Sequence, residues 1–259
     1  MKTTIKYVLV LGIAALCSTS VYAERLASDR NTIPAFAFQL SRDAGQNYAS
    51  YTDGVQLKDV DTNDAYRLFC TDLYTYTSSD FSSGAGQVYN PVSLADSMFH
   101  TDVQKVQLQS LFDHVYTKAF NADYSVKDDL YANIFQLAVW EIANDTASNL
   151  SLRDGDIAIT KALVIKQGPN GENLNYWDNA VYNTALNTLD SWFDAIINDN
   201  WAAIGYDEDR VNLTVYMAEG GTSASQTFIG VAVAPEPATM LILGLGIVGL
   251  GLARKRKRK

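Results

Sequence analysis

Tyr131-Ala132-Asn133-Ile134-Phe135-Gln136-Leu137-Ala138-Val139-Trp140-Glu141-Ile142 reads as a helix without a solvent face. At about 100° per residue, Tyr131, Ile134, Phe135, Ala138 and Ile142 form one apolar stripe, while Gln136 and Trp140, four apart, share the opposite side. A helix apolar on both sides is packed on both sides. A glutamine held in such a place must have its amide bonded or used, because an unpaired buried amide is costly.

Working outward, Tyr66-Arg67-Leu68-Phe69-Cys70-Thr71-Asp72-Leu73-Tyr74 is the best strand candidate, with Cys70 at its centre. The stretches Ala35 to Gln56 and Asp59 to Tyr76 carry short β-rich runs broken by Asp, Asn and Gly, and Ser78 to Ser97 has loop composition. Thr101 with Gln104 makes a capping box for a helix through Val103, Val106, Leu111, Val115 and Ala119. The helix that holds Gln136 runs from about Val126 to Asn144. A third extends from about Tyr176 to Ala203, after a turn at Gly168-Pro169-Asn170-Gly171. Val211 to Met217 and Thr227 to Val233 read as a closing hairpin that joins the early strands. Strands first, helices in the middle and strands last predict an α+β fold: a sheet or barrel of early strands plus the C-terminal hairpin, around a central helical subdomain.

The ends carry addresses. Lys2 and Lys6, the apolar stretch Tyr7 to Leu16 and the small-residue site before Glu24 make residues 1–23 a secretory signal peptide. Cys17 leaves with it, so Cys70 is the single cysteine of the mature chain, in a compartment where thiols normally pair. At the other end Pro235-Glu236-Pro237 precedes an apolar run, Ala238 to Ala253, and the basic stretch Arg254 to Lys259. Those 16 residues span about 24 Å as a helix, short against a hydrocarbon core of about 30 Å. Val233 to Lys259 resembles a PEP-CTERM sorting signal. The resemblance implies an exosortase-type processing enzyme as partner, a transient membrane anchor, and delivery to the envelope or outer surface of a Gram-negative cell. The region between, 24–233, is expected to be one domain.

The whole chain has a net charge of −9. Without Lys2, Lys6, Arg254 to Lys259 and Glu236, 12 basic and 28 acidic side chains remain, a net charge of −16. A surface that acidic excludes nucleic acid and anionic lipid as partners, so the membrane is met only through the C-terminal helix.

Phe69-Cys70-Thr71-Asp72 followed by Gln136-Leu137-Ala138-Val139-Trp140 is similar to the thioester domains of bacterial surface adhesins. There an aromatic-Cys segment meets a Gln-x-Ala-(Ile/Val)-Trp helix, and the cysteine sulfur bonds the glutamine acyl carbon with loss of ammonia. The resemblance implies Cys70 as the sulfur, Gln136 as the acyl donor, Ala138 and Trp140 as packing for the site, and no cofactor; two His and one Cys are too few ligands at suitable spacing for a zinc site. An acyl group on sulfur can be displaced by an amine or hydroxyl, leaving a covalent adduct in a single-use reaction rather than turnover. Water would do the same, and Phe69, Tyr74, Phe135 and Trp140 are expected to shield the bond. Asp72, two residues from Cys70, is the candidate for moving protons.

Two other classes compete. An extracellular cysteine hydrolase would pair Cys70 with His100 or His114, neither in a recognisable neighbourhood. A structural matrix or biofilm protein would bind polysaccharide without covalent chemistry. Asp59, Asp61 and Asn63 alternate like the start of a calcium loop, but Asp64 and Cys70 replace the glycine and glutamate an EF-hand requires.

Overall fold

The computed structural model describes residues 24–28, 36–42, 46–51, 55–72, 85–97, 101–144, 150–153, 157–166, 172, 174–219 and 226–231. The proposed signal peptide, the Pro235-Glu236-Pro237 motif with its apolar run, Tyr74 and His100 lie outside them. Among the described residues no helix is long and apolar enough to cross a membrane.

The fold is α+β, as the order of elements predicts. Six strands close into a barrel: β1 (Glu24–Ser28), β4 (Val55–Asp59), β5 (Ala65–Cys70), β10 (Phe228–Val231), β9 (Leu213–Ala218) and β6 (Gln87–Ser93), in that order around the wall. A second sheet has the order β3 (Gln46–Tyr51), β2 (Phe36–Arg42), β7 (Ile157–Val164) and β8 (Tyr176–Trp177). Helices α1 (Asp102–Ala119), α2 (Asp129–Asn144) and α3 (Asn179–Asn198) pack with these sheets, and a 3-10 turn, Trp201–Ile204, follows α3.

The closing hairpin joins the early strands as expected, β10 pairing with β5 through Phe228↔Cys70, Ile229↔Phe69 and Gly230↔Leu68. Gly230 is required by that contact. A Cβ there would run into Leu68 Cδ2 and stand 3.0 Å from the Arg67 carbonyl oxygen.

Several elements depart from the sequence expectation. The loop expected over Ser78 to Ser97 contains β6, which completes the barrel between β1 and β9. Serines with Gly84 and Gly86 gave the stretch its loop composition; Pro91, which cannot donate to a ladder, lies past Tyr89, which pairs with Glu24 of β1. The segment between the second and third helices contains β7, which pairs with β2 and carries the second sheet. The third helix starts later than Tyr176, because Tyr176 and Trp177 pair with β7 and Asp178 caps the helix by accepting from the Ala180 and Val181 N–H groups. It stops at Asn198, where Asp199 turns left-handed at φ 51°.

Helix α1 begins as the capping box requires, with Thr101 Oγ1 accepting from the Gln104 N–H and Gln104 Oε1 from the Thr101 N–H. Helix α2 is packed on both sides, every residue from Ala132 to Ile142 being buried. One side of it meets an aromatic cluster of Phe69, Phe112, Tyr116, Phe120 and Phe135, with Phe69 and Phe135 ring centres 4.8 Å apart. The other side reaches the end of β5.

Candidate functional site at the end of strand β5

Cys70 is the last residue of β5 and lies beyond Leu68, the last residue of that strand paired with β4. Among the described residues its backbone has no strand neighbour on the β4 side, and a side chain bonds it instead. Gln136 Oε1 accepts from the Cys70 N–H at 3.0 Å, and Gln136 Nε2 donates to the Cys70 carbonyl at 2.9 Å. The buried amide of α2 is thus satisfied by the two groups a strand would have bonded. Its helical position fixes its depth, since Gln136 is 1% exposed and Cys70 6%.

The thiol points elsewhere. Cys70 Sγ donates to Gln226 Oε1 at 3.3 Å, and Gln226 Nε2 donates to the Asp72 carbonyl at 3.1 Å. Gln226 stands just before β10, and the pairing of Phe228 with Cys70 continues to Thr227, whose carbonyl accepts from the Thr71 N–H and hydroxyl. The same register sets Gln226 opposite Asp72. The side chain closest in chemistry to the sulfur is therefore one that the sequence motif does not contain. Its signal was the register of the hairpin, not the composition around it.

Burial pushes the Cys70 thiol up to about 12, and the Asp72 carboxylate adds to the rise. The sulfur is consequently a neutral thiol near pH 7, a poor nucleophile until its proton leaves. Asp72 is half-buried and its charge acts on the thiol, and it lies past the end of β5.

The expected shield divides in two. Phe69 neighbours Cys70 in the chain, but successive strand side chains alternate, and its ring is enclosed by Phe112, Phe120 and Phe135. Phe69 and Phe135 thus build the core that fixes β5 against α2. Ala138 is fully buried on the same helix. Trp140 follows Gln136 by one turn and Asn144 by another, with Asn144 Nδ2 donating to the Thr71 carbonyl at 2.9 Å. This side of α2 lies along the Cys70-Thr71 segment.

His114, the described candidate for a cysteine hydrolase, is committed elsewhere. Its Nδ1 is 2.8 Å from the Ser110 carbonyl oxygen and its ring stacks on Trp201 with centres 4.6 Å apart. The acidic turn at Asp59 closes on itself, with Asp59 Oδ1 accepting from the Asp61 and Thr62 N–H groups and Thr62 Oγ1 donating to Asp64.

Residues 233–257 match the PEP-CTERM protein-sorting motif, a signal of secreted, envelope-associated proteins that implies processing by an exosortase. Characterised protein sequences give no significant match. Among solved structures, the chain is similar to the N-terminal thioester domain of fibronectin-binding protein SfbI from Streptococcus pyogenes, at 12% identity and a TM-score of 0.43, over 80% of this chain and 98% of that one. It is likewise similar to the N-terminal domain of the S. pyogenes pilus tip adhesin Cpa, at 13% identity and TM-score 0.42, over 83% and 100% of the two chains. A third is the N-terminal thioester domain of a Clostridium perfringens surface protein in a cysteine-to-alanine variant, at 16% identity and TM-score 0.40, over 77% and 99%.

Proposed function

We propose that this chain is a secreted surface protein that stores an acyl bond between Cys70 Sγ and the side-chain carbonyl carbon of Gln226, and spends it once on an amine or hydroxyl of a surface or matrix. The observation that carries this reading is the 3.3 Å contact between Cys70 Sγ and Gln226 Oε1, set beside a Gln136 amide whose two ends are both occupied by the Cys70 backbone. Gln136 thereby becomes the residue that holds the cysteine, and Gln226 replaces it as the acyl donor implied by the motif.

Formation is a transamidation without cofactor. Sγ attacks the Gln226 carbonyl carbon, the thiol proton passes to Nε2, and the carbon–nitrogen bond breaks to release ammonia. Asp72, whose charge acts on the thiol, is the candidate carrier of that proton. Attack by an outside amine then forms a new amide at Gln226 and returns Cys70 as a thiol. Nothing in this cycle regenerates the bond, so the protein acts as a covalent tether and not as a turnover catalyst. The PEP-CTERM motif supports the remainder of the reading: secretion, removal of the C-terminal helix near Pro235-Glu236-Pro237, and residence at the outer surface of a Gram-negative cell.

Methylamine distinguishes the two glutamines. After treatment of the purified domain, peptide mass spectrometry should find N-methylglutamine at position 226. A label at Gln136 instead would restore the Cys70–Gln136 pairing, and an unlabelled protein would leave a noncovalent matrix role.

A further inference from the structure

Trp140 is 5% exposed, and its Nε1 atom is wholly enclosed without a hydrogen-bond acceptor. An indole N–H can only donate, and buried donors left unpaired in folded proteins are few and costly. Its position says what it is held for. Gln136, Trp140 and Asn144 stand at successive turns of one side of α2; the first grips the backbone of Cys70 and the last donates to the Thr71 carbonyl. Trp140 stands between them on the side of the helix that these two bonds fasten to the Cys70-Thr71 segment. Packing alone would be served by a phenyl ring, which brings no donor into the core.

We propose that Trp140 Nε1–H is the donor that stabilises the oxyanion formed at Gln226 Oε1, both when the Cys70–Gln226 bond is made and when an outside amine opens it. The inference rests on the thioester reading above. In formation, Sγ adds to the carbonyl carbon and its electron pair moves onto Oε1; the oxyanion collapses as the protonated nitrogen leaves as ammonia. In opening, the amine adds to the same carbon and charge returns to the same oxygen. It collapses with sulfur as the leaving group, and the amine's proton ends on Sγ. Before the bond exists, the Cys70 S–H occupies Oε1 as a donor. Once its proton has gone to nitrogen, that donor is lost and another is required. A fixed donor in a water-excluded site gains most where charge develops.

The test compares wild type with Trp140→Phe, which keeps a buried ring and removes the N–H. The expected result is a Trp140→Phe protein with unchanged circular dichroism and melting, whose bond forms and opens with methylamine about 100-fold more slowly by intact mass. Wild-type rates in a folded Trp140→Phe protein would overturn the proposal. A wild type that never loses ammonia would overturn the thioester reading itself, so the two failures are distinct. Should Trp140→Phe fold poorly, the indole proton of Trp140 in 15N-labelled protein supplies the second readout. It should move downfield in the crosslinked protein relative to Gln226→Ala; an identical shift in both overturns the proposal.

Discussion

Gln136 bonds Cys70 as a neighbouring strand would, its N–H at 3.0 Å and its carbonyl at 2.9 Å, two residues beyond Leu68, which pairs with Val55 of β4. Helix and barrel are thus joined at the cysteine itself, and the sulfur is left to face the other glutamine, Gln226. Each glutamine therefore has its own phenotype.

Gln136→Ala should lower stability by about 1–3 kcal/mol for each backbone group it leaves unpaired. Gln226→Ala, at a half-buried position before β10, should melt near wild type and retain a full complement of ammonia. Thermal denaturation with intact mass separates them. Wild-type mass loss in Gln226→Ala would refute the assignment of the acyl donor.

The thiol gives a pH signature once it is left uncrosslinked. Burial raises the Cys70 thiol of the native chain to about 12, above the ordinary cysteine value of about 8.5, and Gln226→Ala should keep it raised. The folded state therefore holds the proton more tightly than the unfolded chain. Its contribution is fully present below about pH 8.5 and is lost as pH rises towards 12. Urea denaturation should show Gln226→Ala losing stability between pH 9 and 11, and the double variant with Cys70→Ala losing less. Iodoacetamide should modify the native Gln226→Ala thiol slowly at pH 8.

Asp72→Asn removes the carboxylate that helps raise the thiol. The thiol should titrate lower in the Gln226→Ala background, yet the crosslink should form more slowly in Asp72→Asn because the proton carrier is gone. Faster formation would show that Asp72 acts only as a repelling charge.

Gly230→Ala tests the alignment of β10 on β5. The new methyl group meets a buried Leu68 side chain and the Arg67 carbonyl, a misfit that should cost about 1–3 kcal/mol. Because β10 carries Gln226 into register with Asp72, the variant should also crosslink more slowly than its melting temperature accounts for. Phe69→Ala should be worse for stability, about 3–5 kcal/mol, by emptying the centre of the aromatic cluster.

The sequence made half of this site legible. A glutamine on a helix with no polar face had to find a partner, and the motif around it named Cys70; both are adjacent in the fold. Their mode of contact was not legible, because a side chain that completes a backbone ladder looks the same in sequence as one that reacts. Gln226 was hidden for a different reason. It precedes a strand by two residues, and only the pairing of Phe228 with Cys70 reveals what it faces. Likewise β7 read as a connection between helices until β2 paired with it, and β6 carried a proline that barrel geometry tolerates. Local periodicity located the helices well; long-range pairing decided the strands and set Gln226 beside the sulfur.

The central claim is a bond, and intact mass of the purified mature domain tests it most directly. The wild type should weigh one ammonia less than its sequence, Cys70→Ala and Gln226→Ala should each show their full mass, and methylamine should add to the wild type alone. A wild type of full sequence mass whose unfolded thiol titrates as one free cysteine would contradict the account.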